Sequence, residues 1–277
     1  MNDHQKSIAS ISNTLSRVRS FALRRTRDTE KCFWIEGIRQ FVQAYDARLR
    51  FDTVIHSPIL LKSPLAEMIA RRLKAQGVRR IKVSPEQYRT ISTTERASGI
   101  GAIVKQHWTP LAHAKPSRGL CWLVLEEIRS PGNLGSIIRT AEAAGASGII
   151  FVGPRCDPFD PAVVRASMGS LSHLPLVRTT HHELARWATA HDVLLTGLSP
   201  EAERLWTELP PAKSVGVILG EERGGLSTPL RRLCQTMVRL PMTGNADSLN
   251  VSVAAGVMLY ELVRRTQPHQ EAERLVK

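Results

Sequence analysis

Asn245, Asp247, Ser248, Asn250 and Ser252 crowd into eight residues of the stretch LPMTGNADSLNVSVAAGVMLYELVRR, between an apolar run ending in Pro241 and a long apolar helix. One cap residue suffices to start a helix, and Asp247 or Ser248 can serve. Asn250 and Ser252 would then be poor helix formers without a task. The surplus hydrogen-bonding groups suit a polar ligand held at a helix N-terminus. Two more stretches have this character. In RSPGNLGSIIRTA, residues 129–141, a Pro-Gly-Asn turn enters a helix on which Arg139 is the only charged side chain between Leu134 and Ala141. Such an arginine is either a solvated surface group or a fork for phosphate or carboxylate. In LGEERGGLSTP, residues 219–229, three glycines bracket Glu221 and Glu222. The run lacks the lysine of a phosphate-cradling loop, and its carboxylates would repel phosphate. Gly220 directly after a strand suits close approach of a ligand to backbone. A surface turn with solvated glutamates is the plainer alternative.

These stretches need elements to position them. CWLVLEEI, GIIFVG, VLLTGL, VGVILG and TMVRLP are continuous apolar strands separated by helices. That pattern predicts an α/β fold with a parallel sheet covered on both faces. Ligands bind such sheets beyond the carboxyl ends of the strands. Asn133 is the expected N-cap of the first helix and Gly145 its C-cap. Thr180 and Glu183 form a capping box for another. On the last helix Leu249, Val253, Val257, Tyr260 and Val263 share one face, with Arg264 and Arg265 at its C-terminal end. Upstream, KCFWIEGIRQFVQAY reads as a strand entering a helix. FDTVIHS, VRRIKVS and GIGAIVKQ read as strands, with a helix at 65–76, giving a small α/β domain. The Pro-bearing segment 105–119 separates the two, so the division is 1–112, a linker at 113–118, and 119–277.

The charge is divided the same way. Residues 1–118 hold 22 Lys and Arg against 9 Asp and Glu, while residues 119–277 hold 16 of each. All of the net +13 sits in the first part, which is the electrostatic footprint of a nucleic-acid binder. No apolar run reaches the ~18 residues of a membrane helix, and the start lacks the apolar core of a secretory signal. Four scattered cysteines imply a reducing, cytoplasmic setting, and neither they nor the nine histidines make a metal-ligand pattern.

Together the three stretches resemble the three motifs of the SpoU branch of the SPOUT RNA methyltransferases. The matches are P-G-N-L-G-x-I-I-R-T-A at 131–141, G-x-E-x-x-G-L-S at 220–227 and L-P-M-x-G-x-x-x-S-L-N-V-S-V-A-A at 240–255, with VVRASMGS at 163–170 as a further family segment. More loosely, the N-terminal part resembles the small ribosomal-protein-like RNA-binding domain that precedes many of these enzymes, best at FWIEGIRQ. The resemblance implies methyl transfer from S-adenosylmethionine to a ribose 2′-hydroxyl of structured RNA, either rRNA or tRNA. It also implies a C-terminal trefoil knot and a homodimer. Carried over by position, the reacting set is Asn133, Arg139, Glu222, Ser248 and Asn250. The methyl donor would lie against Gly220, Leu240, Met242 and Leu249, with Thr196 and Gly197 edging the pocket. Arg139 would hold the phosphate beside the target ribose, a guanidinium being a poor base. Glu221 departs from the asparagine or small residue often found at its position. The alternative is an RNA-binding assembly factor or chaperone with a degenerate site. A methyltransferase for small molecules or proteins fits the basic first domain less well.

Overall fold

The computed structural model describes residues 3–116 and 119–266. The chain opens with α1 (Asp3–Ser20) and α2 (Arg24–Glu30), followed by β1 (Cys32–Glu36), α3 (Ile38–Asp46), β2 (Phe51–His56), α4 (Pro64–Ala75), β3 (Arg79–Lys82), α5 (Pro85–Arg89) and β4 (Ile100–Lys105). It continues through β5 (Trp122–Leu125), α6 (Pro131–Ala143), β6 (Gly148–Val152), α7 (Pro161–Ala166), β7 (Leu176–Thr179), α8 (His181–Ala190) and β8 (Leu194–Leu198). The last elements are β9 (Arg204–Leu205), β10 (Val215–Leu219), α9 (Thr228–Leu233), β11 (Thr236–Arg239) and α10 (Val251–Thr266).

Two compact units form: residues 3–107 with 157–173, and 108–156 with 174–266. The first holds a four-stranded sheet in the order β1-β4-β2-β3. The pairs β1–β4 and β2–β4 are antiparallel, and β2–β3 is parallel. Helix α1, not assigned in the sequence analysis, buries Leu15 and Val18 against Trp34, Ile55 and Ile103. Segment 157–173, which the sequence pattern puts in the second domain, folds here instead. Its α7 packs on β1, and the Phe159 and Phe33 rings lie 4.7 Å apart. The buried Arg27 of α2 secures it, donating to Asp157 at 2.5 Å and to the Ala22 carbonyl at 3.0 Å.

The second unit is a seven-stranded sheet in the order β7-β6-β5-β10-β8-β11-β9, with every pair parallel. The strands β5, β6 and β10 are buried at every position, which is why they read as unbroken apolar runs. Helix α10 returns to pack against α6. Residues 108–116 belong to this unit. The Trp108 ring meets Phe151 edge-on at 6.0 Å, and the Trp187 indole donates to the Ala114 carbonyl at 3.0 Å. Of the expected linker, 117–118 lie outside the described residues.

Ser130, not Asn133, caps α6. Its hydroxyl accepts from the Asn133 amide at 3.3 Å, and Pro131 fills the first helical position, where no N–H is needed. Gly145 follows the C-cap with φ +75°, as an αL residue should. The Thr180–Glu183 capping box forms as expected.

Candidate active site

Strand β10 lies between β5 and β8, so loops from distant parts of the sequence meet beyond its carboxyl end. The loop after β10 turns back on itself. Glu221 and Gly225 exchange backbone hydrogen bonds, both 2.9 Å. A Cβ on Gly220 would stand 2.0 Å from the Gly225 carbonyl oxygen. Glycine there is therefore required by the loop's own closure, and not only by a ligand's approach.

This loop, the carboxyl ends of β8, β10 and β11, and the start of α10 surround an open cavity of about 180 Å³. Gly220, Leu240, Met242 and Leu249 line it, as does Ser248. Thr196 and Gly197 do not. Thr196 is wholly buried in β8, paired with Val217 and Thr236. Gly197 faces packed side chains, since a Cβ there would meet Leu226 and Met237 at 2.6 Å. The pocket edge is two residues further on, at Leu198, Ser199 and Pro200. Pro200, which ends the strand pattern, is the sequence signal for it.

At the rim, three of the expected residues form one hydrogen-bonded chain. The Asn133 Nδ2 donates to Glu222 Oε1 at 3.1 Å, and the Asn250 Nδ2 donates to Asn133 Oδ1 at 3.0 Å. Glu222 also accepts from the backbone amides of Ser130 at 3.3 Å and Arg129 at 3.4 Å. Burial pushes the Glu222 carboxyl up, but the donation from Asn133 and these amides outweighs it and holds it below the ordinary carboxylate value. Asn250 is also the cap of α10, its Oδ1 accepting from the Ser252 amide at 2.8 Å and hydroxyl at 2.6 Å. Asp247 and Ser248, the capping candidates, precede it. Asn250 thus has two functions, starting α10 and fastening it to α6 and, through Asn133, to the Glu222 loop. Ser248 lines the cavity without joining this chain. Arg139 is exposed on α6 and makes no hydrogen bond or ion pair among the described residues.

The donor set fits a cationic nucleoside cofactor. Leu198, Leu219, Val238 and Leu240 supply apolar wall for a heterocycle, the 220–225 loop supplies backbone polar groups, and Glu221 and Glu222 supply negative charge for a sulfonium.

The chain is similar to known proteins. The SpoU rRNA Methylase family model matches residues 121–260, and the MRM3-like substrate binding domain matches residues 13–102. An uncharacterized tRNA/rRNA methyltransferase of Synechocystis sp., slr1673, is 36% identical over 72% of this chain and 72% of its own. A 23S rRNA (uridine(2479)-2'-O)-methyltransferase of Streptomyces viridochromogenes is 30% identical over 87% of this chain and 85% of its own. The crystal structure of an AdoMet-bound rRNA methyltransferase from Sinorhizobium meliloti matches with a TM-score of 0.84 and 33% identity, over 91% of this chain and 94% of that one. With both the three motifs and the fold that joins them in place, the chain belongs to the SpoU rRNA methylase family.

Proposed function

We infer that this chain is an S-adenosylmethionine-dependent methyltransferase acting on a ribose 2′-hydroxyl of ribosomal or transfer RNA. The observation that carries the reading is the Glu222–Asn133–Asn250 chain at the rim of the apolar cavity. When bound, S-adenosylmethionine supplies an electrophilic methyl group on a sulfonium. The reaction is an in-line displacement, so fixed geometry supplies much of the acceleration. The apolar walls exclude water from the donor. Glu222 and Asn133 fix the turn that enters α6, and Asn250 fixes the start of α10 against it. Ser248 offers a hydroxyl inside the cavity. Arg139 presents a planar fork to hold a phosphate next to the target ribose.

The acting species in this reading is a homodimer. Val253, Val257 and Tyr260 of α10, with Leu249 before it, form an exposed apolar stripe, and such a face is a candidate for a closed two-fold contact. The knotted threading of 220–250 belongs to the same proposal, supported by β10 inserting between β5 and β8 and by α10 returning against α6.

The test is calorimetry with S-adenosylmethionine, followed by mapping of ribose methylation in total rRNA and tRNA with and without the protein. Micromolar-range donor binding and a new 2′-O-methyl mark are expected. No binding at millimolar donor would end the enzyme reading.

A further inference from the structure

Next to Glu222 lies a run of four charged side chains that the site's hydrogen-bond chain does not use. Glu127, just after β5, sits at φ +56°, a left-handed conformation uncommon for a non-glycine residue. Its carboxylate accepts a hydrogen bond from Arg155 Nη1 and lies 3.8 Å from Arg129 Nη2. Arg129 Nη1 in turn lies 3.3 Å from Glu221 Oε1. Through its backbone amide Arg129 also touches Glu222, and Glu221 itself lines the cavity. Exposure is one-sided: the arginine side chains are 65% and 62% exposed, the glutamates 25% and 20%. The acids are sheltered, and the guanidinium heads stand outside them.

Magnitudes narrow what this arrangement can do. Exposed ion pairs stabilise a fold by only ~0–1 kcal/mol each, so stability is a weak reason for it. Two arginines and two glutamates sum to no charge, so the cluster adds nothing to long-range attraction of RNA. That attraction belongs to the first 118 residues, which carry the whole net charge. What remains is short-range recognition by planar forks, each of which carries five donors. A phosphate inside the cavity would lie against Glu221 and Glu222 and be repelled. A phosphodiester outside the mouth would meet the arginine heads first.

We propose that Arg129 and Arg155 together grip one backbone phosphate of the RNA beside the target nucleotide, and that Glu127 and Glu221 are positioning residues that aim them. The proposal rests on the RNA methyltransferase reading above.

The full-length protein tests this with Arg129→Ala, Arg155→Ala, the double variant and Glu221→Asn, assayed on the RNA that the wild type methylates. Each alanine should raise KM for RNA about tenfold, the size of one charge-assisted hydrogen bond, with kcat little changed. The log–log salt slope of RNA binding should fall by ~0.7–0.9 once that phosphate is no longer neutralised. In the arginine variants affinity for S-adenosylmethionine should be unaltered, and Arg129→Lys should not restore KM because the fork is gone. Glu221→Asn should raise KM for RNA as well, by less. Unchanged KM and slope in both alanine variants would overturn the proposal. So would weakened donor binding with unchanged KM for RNA, which would assign Arg129 to the donor's carboxylate. A wild type that methylates no RNA removes the underlying reading, and this one falls with it. An active wild type with indifferent variants removes only this one.

Discussion

A single amide group on Asn250 both starts α10 and ties it to α6, and the two duties can be separated. Its Oδ1 caps the helix while its Nδ2 reaches Asn133. Asn250→Asp keeps the cap, since aspartate caps as well as asparagine and its charge favours a helix N-terminus. It removes the donor, however. Asn133 would then face a carboxylate on both sides and can donate to only one if its carbonyl oxygen points to the other. We expect thermal stability within a few degrees of wild type and methyl transfer reduced at least tenfold, equivalent to ~1.4 kcal/mol of barrier. Melting followed by radiolabelled methyl transfer reads both. Arg139 stands apart from this chain, so Arg139→Ala should leave donor affinity intact while activity drops below about a tenth. Retained activity would show that the exposed guanidinium is only surface. Asn133, Glu222 and Asn250, which the motif resemblance groups together, meet through hydrogen bonds in the structure. Asn133 is not the cap it resembles, because Ser130, three residues earlier, already holds that place before Pro131. Thr196 and Gly197 fall outside the pocket because an apolar strand does not mark which residue emerges from the sheet.

At the scale of elements, α10 shows why some of the fold is not legible in sequence. It carries two apolar stripes. Ala255, Met258, Leu259 and Leu262 are buried, whereas Val253, Val257 and Tyr260 are exposed. Periodicity identifies both as apolar and cannot say which one meets α6. The unbroken strands β5, β6 and β10 have no such ambiguity. Helix α1 is legible in periodicity, since Ile8, Ile11, Leu15 and Val18 recur at helical spacing, although no element is assigned to it above. The far end of α10 is fastened by charge. Glu261, 7% exposed, accepts from Arg264 at 2.8 Å and from Arg265 at 2.8 Å. Arg265 also donates to the carbonyls of Leu209 at 2.6 Å, Trp206 at 3.2 Å and Thr207 at 2.5 Å. That arginine is committed within its own chain, so the exposed apolar stripe is the stronger support for a subunit contact. The hydrogen bond from Arg264 comes first, and with that from Arg265 it overcomes burial and holds the Glu261 carboxyl at about 2. A depressed carboxyl stabilises the fold above its ordinary value of 4.5 and loses that contribution as pH falls toward 2. Glu261→Gln should therefore destabilise by about 2 kcal/mol at neutral pH, with a Tm about 4–8 °C lower. The gap to wild type should narrow below pH 4.5 and close near 2. A gap independent of pH would show that side-chain shape, not charge, makes the contact.

At the scale of the whole molecule, the first unit carries most of the net charge and the second carries the site. That division cannot be tested by cutting the chain near residue 112. Segment 157–173 folds with the first unit, and Phe159, Val163 and Val164 would be stripped of the β1 surface that buries them. Sequence hides this because the excursion sits between two strands of the second sheet and resembles an ordinary crossover. The full-length chain with altered surface charge is the sounder test. Arg72, Lys74, Arg79 and Lys82 are exposed on α4 and the edge strand β3, while Arg186, Lys213, Arg231 and Arg232 are exposed on the second unit. Changing either set to glutamine removes four positive charges, so the two variants match in net charge and differ only in place. If RNA is held through phosphate contacts on the first unit, the first set should weaken binding and flatten the salt dependence by ~0.7–0.9 in log–log slope for each phosphate left without its cation. The second set should leave the slope near wild type, and neither should alter affinity for S-adenosylmethionine. Sequence preference should change little in both, because such contacts carry affinity more than readout. Equal weakening by the two sets would mean that RNA responds to total charge alone, and the assignment of RNA binding to the first unit would be wrong.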